Sequence, residues 1–140
     1  MRTSVLLSVA SFLLISLSGA YAAEPRAFVC KFPQGVIGRY DGRWSAEADA
    51  GTMEFTFASL NNQKGSAEII GNAGASTVRF WKGVWMWNFV EITDAGAVMT
   101  TTVFEASDGQ NYPAVHSRHT SISSGTALPS QYRGMCTARF

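Results

Sequence analysis

The chain is short of the residues from which metal and redox centres are made. It holds two histidines and two cysteines in 140 residues, with no C-x-x-C pair and no second ligand cluster beside either cysteine. A zinc site takes three or four ligands, so the sequence predicts neither a metal nor a cofactor. Net charge is missing as well. Arg2 is the one charged residue among the first 22, which leaves ten basic and ten acidic residues in 23–140. A balanced surface argues against nucleic acid, which wants a basic face, and supplies no attraction to an anionic membrane surface. After residue 22 no stretch approaches the ~20 apolar residues of a spanning helix. No G-x-S-x-G nucleophile elbow occurs. The glycine-rich "GNAGAS" at 71–76 lacks the lysine and following helix of a phosphate loop and reads as a turn. There is little helical periodicity, no internal repeat and no linker.

The first 22 residues read as a secretory signal. Arg2 gives a small positive region, Val5 to Leu17 is apolar, and Ala20-Tyr21-Ala22 offers the small residues required at −3 and −1. Cleavage near Ala22 would leave one domain over 23–140, in the periplasm or outside the cell. No cysteine stands directly after that point, so no lipid anchor is expected there. In an oxidising compartment the even pair Cys30 and Cys136 reads as a disulfide.

The remainder alternates strand and turn. Phe28, Cys30 and Phe32 alternate with Val29 and Lys31, and Met53, Phe55 and Phe57 alternate with Glu54 and Thr56, the period of two of a half-buried strand. "DG" at 41–42, "NNQKG" at 61–65, "GNAGAS" at 71–76 and "DAG" at 94–96 are turn chemistry. "VWMWNFVEIT" at 84–93 reads as one long strand, "AVMTTTVF" at 97–104 as the next, 105–113 as a loop and 114–122 as a strand. The expectation is an all-β fold of about eight short antiparallel strands. Successive hairpins, and a disulfide joining the first strand to the last, favour an up-and-down, calycin-like barrel over the alternative, a β-sandwich. The stretches 42–52 and 122–130 leave room for a short helix. An outer-membrane barrel would force Lys31, Glu54, Glu68 and Arg133 into a narrow lumen, and it lacks the aromatic girdles of that class.

Three groups of residues are candidates for chemistry. His116 and His119 are three apart. On a strand that spacing sends them to opposite faces, so one packed histidine and one exposed histidine is the simple expectation. His116 and Arg118 share a face and could bind an anionic group. Trp85, Trp87 and Phe89 fall on one side of their strand and Val84, Met86, Val90 and Ile92 on the other. The aromatic side is either core or a binding face for an apolar ligand or a partner protein. Asn88, a poor core residue, places the core on the aromatic side. Glu54, Glu68 and Glu91 each alternate with apolar residues and read as the wet side of a strand.

Cys30, the "GNAG" turn at 71–74, Thr100 to Thr102, "PAVHSRH" at 113–119 and "SQYRGMC" ending at Cys136 resemble a family of small secreted alphaproteobacterial proteins without an assigned biochemical role. The resemblance spans most of 23–140 and implies a periplasmic location. It brings no catalytic residue. A looser likeness, in architecture alone, is to small β-barrel inhibitors of lysozyme. The reading that follows is a non-enzymatic binding or interaction protein whose partner is a small apolar molecule or a protein. The alternatives are an inhibitor of a secreted hydrolase, working through loop 105–113, and a small hydrolase or isomerase using His116 or His119.

Overall fold

The computed structural model describes residues 23–105 and 108–140; the expected signal segment 1–22 and residues 106–107 of the expected loop lie outside the described residues. Among the described residues eleven strands follow in chain order: β1 (Ala27–Tyr40), β2 (Trp44–Asp49), β3 (Met53–Asn61), β4 (Ser66–Gly71), β5 (Gly74–Lys82), β6 (Met86–Ile92), β7 (Val98–Phe104), β8 (Asn111–His119), β9 (Ser121–Ser123), β10 (Thr126–Ala127) and β11 (Ser130–Arg139). Eight of them close an antiparallel barrel in the order β11-β8-β7-β6-β5-β4-β3-β1, with β1 pairing back to β11. From β3 to β8 each barrel strand pairs with the next in sequence, as the hairpin pattern predicted.

The seam is the Cys30–Cys136 disulfide. The two residues stand directly opposite in the β1–β11 ladder, with Cα atoms 3.9 Å apart. Beside it β1 carries a bulge between Lys31 and Gln34. Two glycines make that irregularity fit. A Cβ on Gly134 would lie 2.0 Å from the Lys31 carbonyl oxygen, and one on Gly35 would lie 2.2 Å from the Tyr132 ring. Only a residue without a side chain lets the backbones approach so closely.

β1 is longer than the barrel needs. β3 pairs only Phe28 to Phe32, so the second half of β1 would be left with open backbone groups. The chain turns at Asp41-Gly42-Arg43 and β2 pairs Gly35 to Tyr40 instead. β10 takes Tyr40 from the other side and β9 pairs β10. These strands form an arm beyond one end of the barrel. They also correct the expectation of a short helix in 42–52 or 122–130: among the described residues there is none, because the extended β1 edge recruits both stretches as strands. No helix among the described residues is long and apolar enough to cross a membrane. Lys31, Glu54, Glu68 and Arg133 are all exposed.

Inside the barrel, alternate residues pack to a filled core. Phe28, Cys30, Phe32, Phe57, Ala67, Val78, Phe80, Trp87, Phe89, Val103, Tyr112, Ala114, Tyr132, Cys136 and Ala138 are all buried. Burying each large side chain is worth about 1.5–3 kcal/mol. The rings of Phe57 and Phe89 stack at 3.7 Å with planes 9° apart, and Phe80 lies 5.1 Å from Phe89. β3 and β6 are not neighbours in the sheet, so this stack joins separate walls across the middle of the barrel. Phe140 falls beyond β11 and is exposed rather than continuing the inward row of Tyr132 and Cys136.

Two sequence expectations about loops are corrected. The strand expected at 84–93 starts at Met86, because Gly83 N–H donates to the Met86 carbonyl at 2.7 Å and closes a turn. Trp85 therefore stands outside the strand and is 69% exposed, while Trp87 and Phe89 point inward at 6% and 2%. The loop expected at 105–113 is shorter, since Asn111 already pairs with Thr137 and opens β8.

Candidate functional site

The two ends of the barrel differ. At the end where β1 begins, Phe28, Trp87 and Tyr112 meet edge to face, 5.1 to 5.5 Å apart. Residues 23–26, before β1, border a cleft of about 420 Å³ with Phe80, Trp87 and Phe140. Glu24 accepts from Lys82 Nζ at 2.8 Å and from Asn62 Nδ2 at 3.1 Å, and Arg26 N–H donates to the Arg139 carbonyl. The Lys82 ammonium sits 5.7 Å from the Trp87 ring, a cation–π distance. The Lys82 contact holds the Glu24 carboxyl below its ordinary value.

At the opposite end the inward row turns polar. Strand register decides which side chains meet there. Phe89, Thr101, His116 and Tyr132 form one cross-strand row from β6 to β11, and Glu91, Met99, Arg118 and Ser130 form the next row outward. The period of two that buries Trp87 and Phe89 carries Glu91 to the same inner side. The β-branched and aromatic character of these strands fixes the ladder, and the ladder sets the spacing of the polar groups.

His116 is 3% exposed. Its Nδ1 lies 2.8 Å from Thr101 Oγ1, and the ring packs 5.1 Å from Phe55 and 5.7 Å from Phe32. Burial among these rings, and secondarily the Arg118 charge, lower its pKa to about 4. At neutral pH His116 is therefore an uncharged core residue. Tyr132 donates its hydroxyl to Asp49 Oδ2 at 2.7 Å, and Asp49 Oδ1 accepts from Gly51 N–H at 2.8 Å. These bonds, with Arg118 nearby, hold the Asp49 carboxyl below its ordinary value. Burial first, then the bond to Asp49, push the Tyr132 hydroxyl up.

Beyond these satisfied groups lies an open cleft of about 750 Å³, lined by Met53, Phe55, Ile69, Met99, Glu91 and Arg118 together with the 71–76 turn. Beneath it the core leaves a void of only about 10 Å³. Glu91 Oε1 accepts from Ser76 Oγ at 3.0 Å. Arg118 makes no ion pair and no side-chain hydrogen bond among the described residues. A half-buried guanidinium, a half-buried carboxylate and an apolar wall thus face one concave space.

The remaining candidates lie elsewhere. His119 is exposed, on the outer side of β8. With Trp44 and Thr120 it borders a separate groove of about 360 Å³ between the arm and the β6–β7 turn. The two histidines share no site, and no cluster of three or more His, Cys, Asp or Glu able to hold a metal occurs among the described residues. Trp87 and Phe89 belong to the core. Trp85 joins Trp81, Val84, Met86 and Phe104 as exposed apolar residues on the outer side. His116 and Arg118 do share the inner face, as their spacing implied. Glu91, Asp49, Met99 and Tyr132 escaped the sequence reading. For Glu91 the signal was present, because it has the parity of Trp87 and Phe89. Asp49 gave none, because its place depends on the arm. The chain matches no protein-family model, no curated protein and no solved structure.

Proposed function

We propose that this is a non-enzymatic binding protein of the periplasm or the extracellular space, and that it binds at the open end of the barrel. The observation that carries the reading is Arg118: a half-buried cation with no partner among the described residues, beside an apolar cleft in an otherwise satisfied interior. Ligand sites are concave and mainly apolar, with a few convergent polar groups. The packed core below leaves no room for a deeply swallowed apolar ligand, so the occupant sits in the mouth. Export rests on the signal-like first 22 residues and on the resemblance to small secreted alphaproteobacterial proteins. Catalysis by His116 has less support, because its ring and its one hydroxyl partner, Thr101, are both 3% exposed.

One observation favours the inhibitor reading. The turn before β8 is braced: Asp108 accepts from the Gln110 and Asn111 N–H groups, and Tyr112 donates to the Gly109 carbonyl. A rigid exposed turn suits insertion into an enzyme cleft. The test of the open-end reading uses 23–140 and the fluorescent probe 8-anilinonaphthalene-1-sulfonate, an aromatic body with one anion. NMR titration is expected to shift the amides of Met99, Thr101 and Arg118 and to leave Lys82 and Asn62 still. Shifts confined to the outer Trp81–Phe104 patch or to the 108–111 turn would overturn the open-end reading.

A further inference from the structure

The open end holds two opposite charges that do not use each other. Glu91, Met99 and Arg118 follow one another in a single cross-strand row on β6, β7 and β8. Neighbouring strands lie about 4.8 Å apart, so the backbones that carry the two charges are roughly 10 Å apart with Met99 between them. Glu91 is drawn the other way, toward β5, by the hydroxyl of Ser76. Asp49, the other carboxylate near Arg118, is occupied by the Tyr132 hydroxyl and the Gly51 N–H. Glu54 also lines the cleft, but it is exposed and faces Lys31 Nζ at 3.9 Å, so the half-buried charges left to a ligand are one cation and one anion on one side of a concave wall, faced by Phe55, Met53 and Ile69.

We infer that the open end takes a small zwitterion with an apolar side chain, a free hydrophobic amino acid or a short peptide, its carboxylate on Arg118 and its ammonium on Glu91. The inference rests on the open-end reading and narrows it to a ligand class. A ligand with only an anion would leave the Glu91 carboxylate desolvated and unpaired, and one with only a cation would do the same to Arg118. Such unpaired half-buried charges are what binding sites discriminate against. Arg118 supplies a fork of donors suited to a planar carboxylate. Met99, beneath the gap, can adapt its unbranched side chain to the ligand's body.

The experiment is calorimetric titration of 23–140 with four probes: L-phenylalanine, the dipeptide L-phenylalanyl-L-leucine, phenylacetate and phenethylamine. At least one zwitterion is expected to bind roughly tenfold or more tightly than either singly charged probe, since each charge-assisted contact is worth about that much. The amino acid and the dipeptide differ in charge separation by about one residue, ~3.5 Å, so their ratio reports which source fits. Arg118→Gln should erase the zwitterion's advantage over phenethylamine, and Glu91→Gln its advantage over phenylacetate. Both variants should melt as the parent does, which separates lost binding from lost fold. Phenylacetate or phenethylamine binding as tightly as both zwitterions would overturn the zwitterion site. So would silence from all four probes; if the anilinonaphthalene sulfonate still maps to the mouth, only the ligand class falls, and if it too is silent there, the open-end reading falls with it.

Discussion

At the end where β1 begins, three aromatic rings meet edge to face, and residues 23–26, tied to Lys82 and Asn62 through Glu24, border a cleft of about 420 Å³ beside Trp87. At the other end the inward positions are Glu91, Arg118, Met99 and the Tyr132–Asp49 pair, and the space above them is open. Both ends are built by the same strands with the same alternation. What differs is the residue type delivered at each inward step, from Trp87 through Phe89 to Glu91 on β6 and from Tyr112 and Ala114 through His116 to Arg118 on β8. Apolar area removed from water dominates folding energy, so the aromatic end should carry the stability and the end with the larger cleft the recognition. Barrels of this size are commonly filled at the level where opposing rings touch; here the Phe57–Phe89 stack marks the boundary between the two regimes.

The largest effect is expected at the seam that both ends share. Cys30 and Cys136 are 106 positions apart, and the chain-entropy account of a loop that long gives about 4.7 kcal/mol. The double variant Cys30→Ala/Cys136→Ala should lose about that much in urea unfolding, with a lower midpoint and a steeper slope, because the unlinked unfolded chain exposes more surface. A loss below about 1 kcal/mol would mean that the barrel does not need its seam. Next comes the aromatic end alone. Trp87→Ala removes a ring that touches Phe28 and Tyr112 and should cost about 3–5 kcal/mol. Its thermal midpoint should fall by roughly 10 °C or more. An unchanged midpoint would show that the aromatic end is not where stability resides.

His116 sits between the regimes, and its effect depends on pH. Its pKa is lowered from 6.5 to about 4 in the folded state. The unfolded chain therefore binds more protons, and stability rises with pH through that interval. The contribution is fully present above about 6.5 and is lost as pH falls toward 4. Between pH 7 and pH 5 the loss should be about 2 kcal/mol. His116→Gln should flatten that slope whatever it does to stability at pH 7. A slope unchanged by the substitution would assign it to another group.

How much of this was legible in the sequence follows the same division. Alternation put Phe28, Cys30 and Phe32 on one face, whereas the 84–93 run is apolar on both faces and only Asn88 on the opposite side favoured Trp87 and Phe89 as core. The disulfide and barrel closure followed from cysteine positions near the ends of the 23–140 domain. The arm did not: β2 is all but wholly exposed and carries no apolar alternation, so only the unpaired half of β1 explains it. The open end was half legible. Parity joined His116 to Arg118, but Glu91 was read as solvent-facing because it alternates with apolar Val90 and Ile92, though its parity with Trp87 points inward. Asp49 reaches Tyr132 across 83 positions of sequence, and no local pattern encodes such a meeting. Trp85 was misplaced for the opposite reason, since a tight turn ended the alternation where the apolar run continued.

The smallest effect is the sharpest discriminator between the two ends. Arg118→Gln and Glu91→Gln should each change unfolding free energy by no more than about 0.5 kcal/mol. Arg118 forms no ion pair among the described residues, so its loss breaks none there, and Glu91→Gln keeps an oxygen that can still accept from Ser76 Oγ. Half-buried charges in front of water are screened. Removing Arg118 also lifts a charge that opposes protonation of His116, so this variant should lose slightly less stability than the parent on going from pH 7 to pH 5. Urea titrations of the parent and both variants at those two pH values measure all of this. If either substitution costs 2 kcal/mol or more at pH 7, the group is structural, and the open end is a second pillar of the fold rather than a surface free to bind.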